Sequence, residues 1–195
     1  MIINIRGTSG SGKSTLIRSV LDQFAARLPV HVPGRKRPLY YKLWRDGDIN
    51  QFGPPDLVVL GHYDTACGGC DTIPTTDMTY DVILEAHYML GAAHVLYEGL
   101  LISSDAQRTI DLGRNVGLDK LLVVELSTPL EECLASVNQR RAARDAELPP
   151  VDPKNTTAKW KGIQSSGKKI REAGVQVESL DRDAALARVL EVLCG

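Results

Sequence analysis

The stretch Gly7-Thr8-Ser9-Gly10-Ser11-Gly12-Lys13-Ser14 follows the apolar residues 1–5 and precedes a helical pattern of apolar side chains. This order of strand, glycine-rich turn and helix is typical of a phosphate-binding P-loop, whose backbone N–H groups point at a phosphate. We therefore expect a nucleoside triphosphate, with Lys13 at its β and γ phosphates and Ser14 on Mg²⁺. The residues expected to bind ATP are Gly7, Ser9, Gly10, Ser11, Gly12, Lys13, Ser14 and Thr15.

Length and composition suit one compact domain over residues 1–195, of which 43% are hydrophobic. The formal net charge of -1 creates no overall positive field that would indicate a nucleic-acid partner, although local basic clusters remain possible. No signal peptide or long apolar span is apparent, so we expect a cytoplasmic protein without disulfides.

Strand and helix patterns alternate after the P-loop, which predicts an α/β fold with three layers. We expect a mostly parallel sheet of about five strands flanked by helices, with chemistry at the carboxyl ends of the strands. The apolar runs at residues 39–43 and 57–60 could pair with each other or be successive strands of the sheet. Pro29 predicts a loop, Asp77 a helix cap, and Ser104 with Gln107 a capping box.

The ends of the predicted strands narrow the class of P-loop protein. A GTPase would carry an Asn-Lys-x-Asp element, which residues 117–120 lack. A transport or motor ATPase would carry paired acids, whereas this strand ends Tyr97-Glu98-Gly99. A small kinase is the most economical interpretation. We expect Glu98 to hold a metal-bound water opposite Ser14, and its alternative role is that of the catalytic base.

Arginines near the end of a predicted helix supply the positive charge that phosphoryl transfer requires. Arg140 and Arg144 share one helical face and precede the loop at residues 147–153. This position predicts a lid over the transferring phosphate, around residues 138–156. The alternative is a solvated basic end that complements the helix dipole.

A second glycine-rich segment at residues 61–72 predicts the site of the acceptor. Gly68 and Gly69 allow a ligand to approach the backbone, and Thr72 adds a polar group. Asp71 is the preferred carboxylate for orienting an acceptor hydroxyl, and Asp64 is the second choice. Either aspartate could instead cap a turn or a helix.

Cys67 and Cys70 lie three positions apart in the same segment and invite a zinc interpretation. Structural zinc usually needs four ligands, and only His62 and Cys133 could complete a set. Two small buried residues beside a glycine bend are the simpler expectation.

Over most of its length the chain resembles nucleotide and nucleoside kinases. More narrowly, residues 60–63, 67–73 and 97–100 resemble bacteriophage kinases that phosphorylate 5-hydroxymethyluracil within DNA. The resemblance implies transfer of the ATP γ-phosphate to the hydroxymethyl oxygen, with ATP and Mg²⁺ as cofactors. It also implies hydroxymethylated DNA as partner, no membrane, and the host cytoplasm as location.

A DNA acceptor would have to leave the base stack or be single-stranded. Tyr63 could offer a stacking surface and the exposed lysines could bind phosphates, although such lysines ordinarily only face solvent. The residues expected to bind this substrate are Tyr63, Gly68, Gly69, Thr72, Lys159 and Lys161. Two alternatives stay open from the residues alone: a kinase of a free nucleoside, nucleotide or small metabolite, and an ATPase switch that transfers no phosphate.

Overall fold

The computed structural model of the protein describes residues 1–47, 49, 53–65 and 68–195. Its strands form one seven-stranded sheet in the order β2-β3-β4-β5-β1-β6-β7. Their bounds are β1 Ile2–Arg6, β2 Ala26–Val30, β3 Tyr40–Trp44, β4 Leu57–Leu60, β5 His94–Glu98, β6 Leu121–Leu126 and β7 Gln176–Leu180.

The mostly parallel sheet predicted from the sequence is confirmed. Strands β4, β5, β1, β6 and β7 run parallel to one another. The difference lies at one edge, where β3 pairs with β4 and β2 pairs with β3, both antiparallel. The two apolar runs whose relation was open are therefore paired strands. The loop predicted at Pro29 was wrong, because Pro29 lies in the edge strand β2, where a missing N–H is tolerated.

The described residues form seven α-helices. Their bounds are α1 Lys13–Leu21, α2 Thr76–Leu84, α3 Leu100–Ser104, α4 Ala106–Val116, α5 Leu130–Arg144, α6 Pro153–Glu172 and α7 Arg182–Cys194. A π-helical turn at Glu85–Met89 extends α2. The predicted caps were wrong by one or two residues: the Thr75 side chain caps α2 and the Asp105 side chain caps α4. Each accepts the N–H three residues ahead, as a short polar cap does.

Apolar side chains from both faces of the sheet form two buried layers. Ile3 and Ile5 of β1 pack with residues of α1 and α7 on one face. Ile2 packs with α2, α4 and α6 on the other face. Alternate strand side chains point to opposite faces, so a buried strand such as β1 supplies both layers. Burial of both faces fixes the sheet, and the loops at its carboxyl edge are left to form the site.

No helix among the described residues is both long enough and apolar enough to span a membrane.

Candidate active site

The P-loop joins β1 to α1 and is held in a conformation that only glycine accommodates. Gly10 has a φ of 85°, and a Cβ there would lie 2.2 Å from the backbone oxygen of Cys133. Thr128 adds a tether from the end of β6, where its hydroxyl donates a 2.9 Å hydrogen bond to the Ser11 carbonyl. The loop is therefore packed against the start of α5 and has little freedom to open.

The Lys13 ammonium lies inside the loop. The residue is only 7% exposed, and its Nζ donates to the carbonyl oxygens of Gly7 at 2.7 Å and Thr8 at 3.0 Å. Burial lowers the pKa of Lys13, and the nearby charge of Glu98 partly opposes this shift. The cation is thus fixed at the start of α1, where the helix dipole also favours an anion.

Ser14 and Glu98 connect the P-loop to the end of β5. The Ser14 hydroxyl donates a 2.8 Å hydrogen bond to Oε1 of Glu98, which is 2% exposed. Burial raises the pKa of Glu98, while Lys13 and the Ser14 hydrogen bond lower it. A hydroxyl and a carboxylate side by side are the hard oxygen donors that Mg²⁺ prefers, so this pair fits a magnesium ion.

The loop after β4 folds back towards Glu98. Gly69 donates its N–H to the His62 carbonyl at 2.9 Å, which closes the loop. A Cβ on Gly69 would lie 2.4 Å from Oε1 of Glu98, and the φ of Gly69 is 75°. Glycine at this position therefore permits the close approach of the loop to the carboxylate.

The two candidate bases occupy different environments. Asp71 lies in a 3₁₀ turn, Cys70–Thr72, and its carboxylate accepts the N–H of Leu100 at 2.8 Å and of Leu101 at 3.2 Å. It therefore caps α3, as the alternative interpretation of this residue proposed. Asp64 accepts the Tyr41 hydroxyl at 3.2 and 3.3 Å.

A cavity of about 430 Å³ joins the P-loop to the acceptor loop. Asp71 reaches this cavity and Asp64 is outside the set of described residues that line it. The predicted site residues that line it are Ser9, Gly10, Gly12, Lys13, Ser14, Thr15, Gly68, Asp71, Thr72, Glu98 and Arg140. The structure thus brings together the predicted phosphate-binding, metal-binding and acceptor-orienting groups.

Several other predicted residues lie elsewhere. Tyr63 is 5% exposed and packs in the core beneath the site, so its ring offers no open stacking face. Arg144 lies one turn beyond Arg140 and is exposed, as are Lys159 and Lys161 on α6.

Three further arginines line the cavity: Arg37, whose basic cluster at residues 35–37 was a candidate for DNA phosphate contact, and Arg18 and Arg182, which had no prediction. Arg18 follows Ser14 by four residues, so helical spacing could have placed it on the same face. Its guanidinium donates to the carbonyls of Tyr63, at 3.0 Å, and Thr65 in the acceptor loop. Arg182 begins α7, far along the chain, and no spacing from the P-loop in the sequence indicated that it would reach the cavity.

Arg6, the residue before the P-loop, is fully buried and was also missed. Its guanidinium donates to the Ser103 carbonyl on α3, to Thr109 on α4 at 3.1 Å and to Ser166 on α6 at 2.7 Å. Ser103 in turn accepts the Gly7 N–H at 3.3 Å. Because Asp71 caps the other end of α3, this short helix connects the P-loop to the acceptor loop.

The zinc interpretation involves residues that the structure describes only in part, since Cys67 lies outside the described ranges. Cys70 and Cys133 are buried free thiols, and burial raises the pKa of both. Within the described part of the chain, no three His, Cys, Asp or Glu residues are grouped so that they could hold a metal ion.

Comparison with known proteins gives three relatives that share one name. A "5-hmdU DNA kinase" of Pseudomonas phage PaMx11 is 50% identical over 98% of this chain and 96% of its own length. Proteins of the same name from Pseudomonas phage M6 and Bacillus phage SP10 are 26% and 23% identical, over 80% and 90% of this chain. The chain covers 80% of the first of these two and 26% of the second.

No protein-family model matches the chain. The solved structure of deoxyadenosine kinase from M. mycoides with bound dATP covers 100% of both chains, at 11% identity and a TM-score of 0.45. A score at this level is too low to bear on the substrate.

Proposed function

Because this chain belongs to the 5-hmdU DNA kinase family, we propose that it transfers the γ-phosphate of ATP to the hydroxymethyl oxygen of 5-hydroxymethyluracil within DNA. The observation that carries the proposal is the composition of the 430 Å³ cavity. Its lining includes the P-loop groups Lys13 and Ser14 together with the acceptor-side carboxylate Asp71. A donor phosphate and an acceptor hydroxyl can therefore meet in one cavity.

Ser14 and Glu98 would hold Mg²⁺ in this cavity. The ion, when bound, neutralises charge on the β and γ phosphates. The hydrogen bond between the two side chains supports this role, because it fixes two oxygen donors before a metal arrives. The close approach that Gly69 permits keeps the acceptor loop beside the same carboxylate.

Transfer requires the acceptor oxygen to form a bond to the γ-phosphorus while the bond from that phosphorus to the β-bridging oxygen of ATP breaks. We assign Asp71 to accept the hydroxyl proton late in this step, and ADP leaves with the electron pair of the broken bond. Lys13 stabilises the charge that develops on the leaving oxygen. Four arginines are available to neutralise the transferring group: Arg18, Arg37, Arg140 and Arg182.

A smaller hollow supports a place for the nucleoside of ATP. It has a volume of about 180 Å³ and lies between the loops that follow β6 and β7. Arg182 lines both this hollow and the main cavity. ATP with its phosphates on the P-loop would therefore extend along Arg182 from the main cavity into this hollow.

The test is a labelling assay with γ-labelled ATP and Mg²⁺. The acceptors are matched oligonucleotides that carry thymine or 5-hydroxymethyluracil, together with the free nucleosides. The proposal predicts label only in the hydroxymethylated oligonucleotide, and none with the Lys13→Ala variant. Label in a free nucleoside would identify a small-molecule kinase, and ATP hydrolysis without any labelled acceptor would identify a switch.

A further inference from the structure

The groups that would hold the transferring phosphate and its metal lie below the protein surface. Lys13 is 7% exposed and Glu98 is 2% exposed. The acceptor oxygen has to meet the phosphate held at that depth, so we expect the nucleotide to be turned out of the helix. This step rests on the proposed function, and it raises the question of which side chain supports the duplex that the base leaves.

Leu101 is a large exposed apolar side chain that follows Leu100, a residue of the cavity wall. It is the second residue of α3 and is 64% exposed. Its backbone N–H donates to Asp71, the carboxylate assigned to the acceptor hydroxyl. The side chain is therefore tied, through its own backbone, to the group that would meet the extruded base.

Leu100 and Leu101 lie on two sides of one rim. Leu100 lines the main cavity, whereas Leu101 lines a neighbouring surface depression of about 570 Å³ with Thr76, Gln107 and Lys169. A strand that sends one base into the cavity would thus have its neighbouring bases over the depression. The exposed side chain lies at the point where the two meet.

Positive charge flanks this rim. On the cavity side Arg37 lines the wall, and Arg35 donates to the Thr72 hydroxyl at 3.2 Å. On the far side Lys169 lines the depression. The acid of the depression, Asp105, is already paired with Arg108 at 2.9 Å. The rim therefore suits a polyanion on both sides of an apolar tip.

The geometry points to Leu101 as the side chain that enters the duplex and fills the space left by the extruded nucleotide. Apolar side chains such as leucine are used in this way by proteins that unstack and kink DNA. The occupant of this surface is therefore duplex DNA that carries 5-hydroxymethyluracil, with the target base in the cavity and its neighbours against Leu101.

Three oligonucleotides test this role, each with one 5-hydroxymethyluracil: a single strand, a duplex with adenine opposite, and a duplex with a mismatch opposite. The rate of phosphorylation is measured on each for wild type and Leu101→Ala. We expect the loss in kcat/KM on the matched duplex to exceed the loss on the single strand by about tenfold or more. The mismatched duplex should recover part of that loss, because an unpaired base is easier to extrude.

Met89→Ala is the matched control, because Met89 is 80% exposed but ends the turn that leads to the amino end of β5. It should leave the ratio of duplex to single-strand activity unchanged. An equal loss on all three substrates with Leu101→Ala would overturn this inference and leave the proposed function standing. A wild type that accepts only the single strand would have the same meaning. A wild type that labels none of the three DNAs would overturn the proposed function itself.

Discussion

Oγ of Ser14 lies 2.8 Å from Oε1 of Glu98, so the first turn of α1 and the carboxyl end of β5 share one hydrogen bond. We expect Glu98→Gln to lower kcat by about 10²-fold or more and to raise the Mg²⁺ concentration needed for half-maximal rate, because a neutral amide binds the ion weakly. The check is a magnesium titration of the labelling assay. Glu172→Gln, on an exposed carboxylate of α6, is the control. An unchanged magnesium dependence in Glu98→Gln would remove Glu98 from the metal site.

Asp71→Asn should preserve ATP binding and lower transfer by about 10²-fold or more, because an amide cannot take the hydroxyl proton. Asp64→Asn is the matched comparison, since Asp64 is held by Tyr41 outside the described cavity lining. ATP affinity and kcat are measured for both variants. The reverse pattern, with the large loss in Asp64→Asn, would move the base to Asp64.

The capping role of Asp71 gives an independent measure of its structural effect. Replacing a helix cap with alanine costs about 0.5–2 kcal/mol of unfolding free energy, and asparagine keeps one capping oxygen, so Asp71→Asn should cost no more than this. Denaturant unfolding of Asp71→Asn therefore shows whether the reduced transfer is accompanied by a small loss of unfolding free energy or by collapse of the fold. A small loss of stability beside a large loss of kcat supports the chemical role.

Lys159 and Lys161 are exposed on α6 and remain candidates for phosphate contact. Replacing both with alanine should weaken DNA binding and reduce the slope of log K against log salt by about 1.4 to 1.8, the value for two phosphate contacts. Lys120→Ala, just before the amino end of β6, is the control. A slope equal to that of wild type would place the DNA elsewhere.

Arg6→Met removes the donor that joins α3, α4 and α6. We expect a loss of about 2–4 kcal/mol in unfolding free energy, because buried acceptors are left unpaired. In the folded variant, kcat should fall while KM for ATP stays near that of wild type, and Arg6→Lys should recover part of kcat. A stability loss with unchanged kcat would limit Arg6 to support of the core.

His94 begins β5, and burial lowers its pKa to about 4. Its pKa in the unfolded chain lies near 6.5, so between these values the unfolded state binds more protons and stability falls as the pH falls. Between pH 7.5 and pH 5, wild type should lose about 1–2 kcal/mol more than His94→Gln. Urea unfolding at both pH values provides the comparison. Parallel losses in the two proteins would show that His94 is not the group responsible.

The parts of the site that could be predicted are those in which local order fixes geometry. The P-loop and Glu98 each combine a strand with the residue at its carboxyl end, and parallel strands bring such ends together. Arg182 could not be found in this way, because it reaches the site from an element distant in the chain. Arg6 ends β1, but its role depends on partners in α4 and α6, which lie far along the chain. Asp71 shows a different limit. From the sequence, an aspartate near glycine could be a helix cap or a catalytic base, and in the structure its carboxylate caps α3.

In the fold, too, some elements could be predicted from local sequence and others could not. Buried parallel strands such as β6 are largely apolar runs, so the sequence predicts both that the strand exists and that it lies inside the sheet. The edge hairpin was harder, since the pairing partner of β3 depends on turn geometry rather than on composition. Pro29 then hid β2, because proline removes a strand donor at the one edge where the loss is harmless.

The five-residue helix α3 has a consequence for the order of events in the ternary complex. Its first turn donates to Asp71 and its last turn accepts the N–H of Gly7, so the two loops share one support. We expect ATP bound at the P-loop to act, through this helix, on the loop that receives the acceptor. By thermodynamic linkage, DNA must then tighten ATP binding by the same factor. We expect the enzyme to hold each of its two substrates more firmly in the presence of the other.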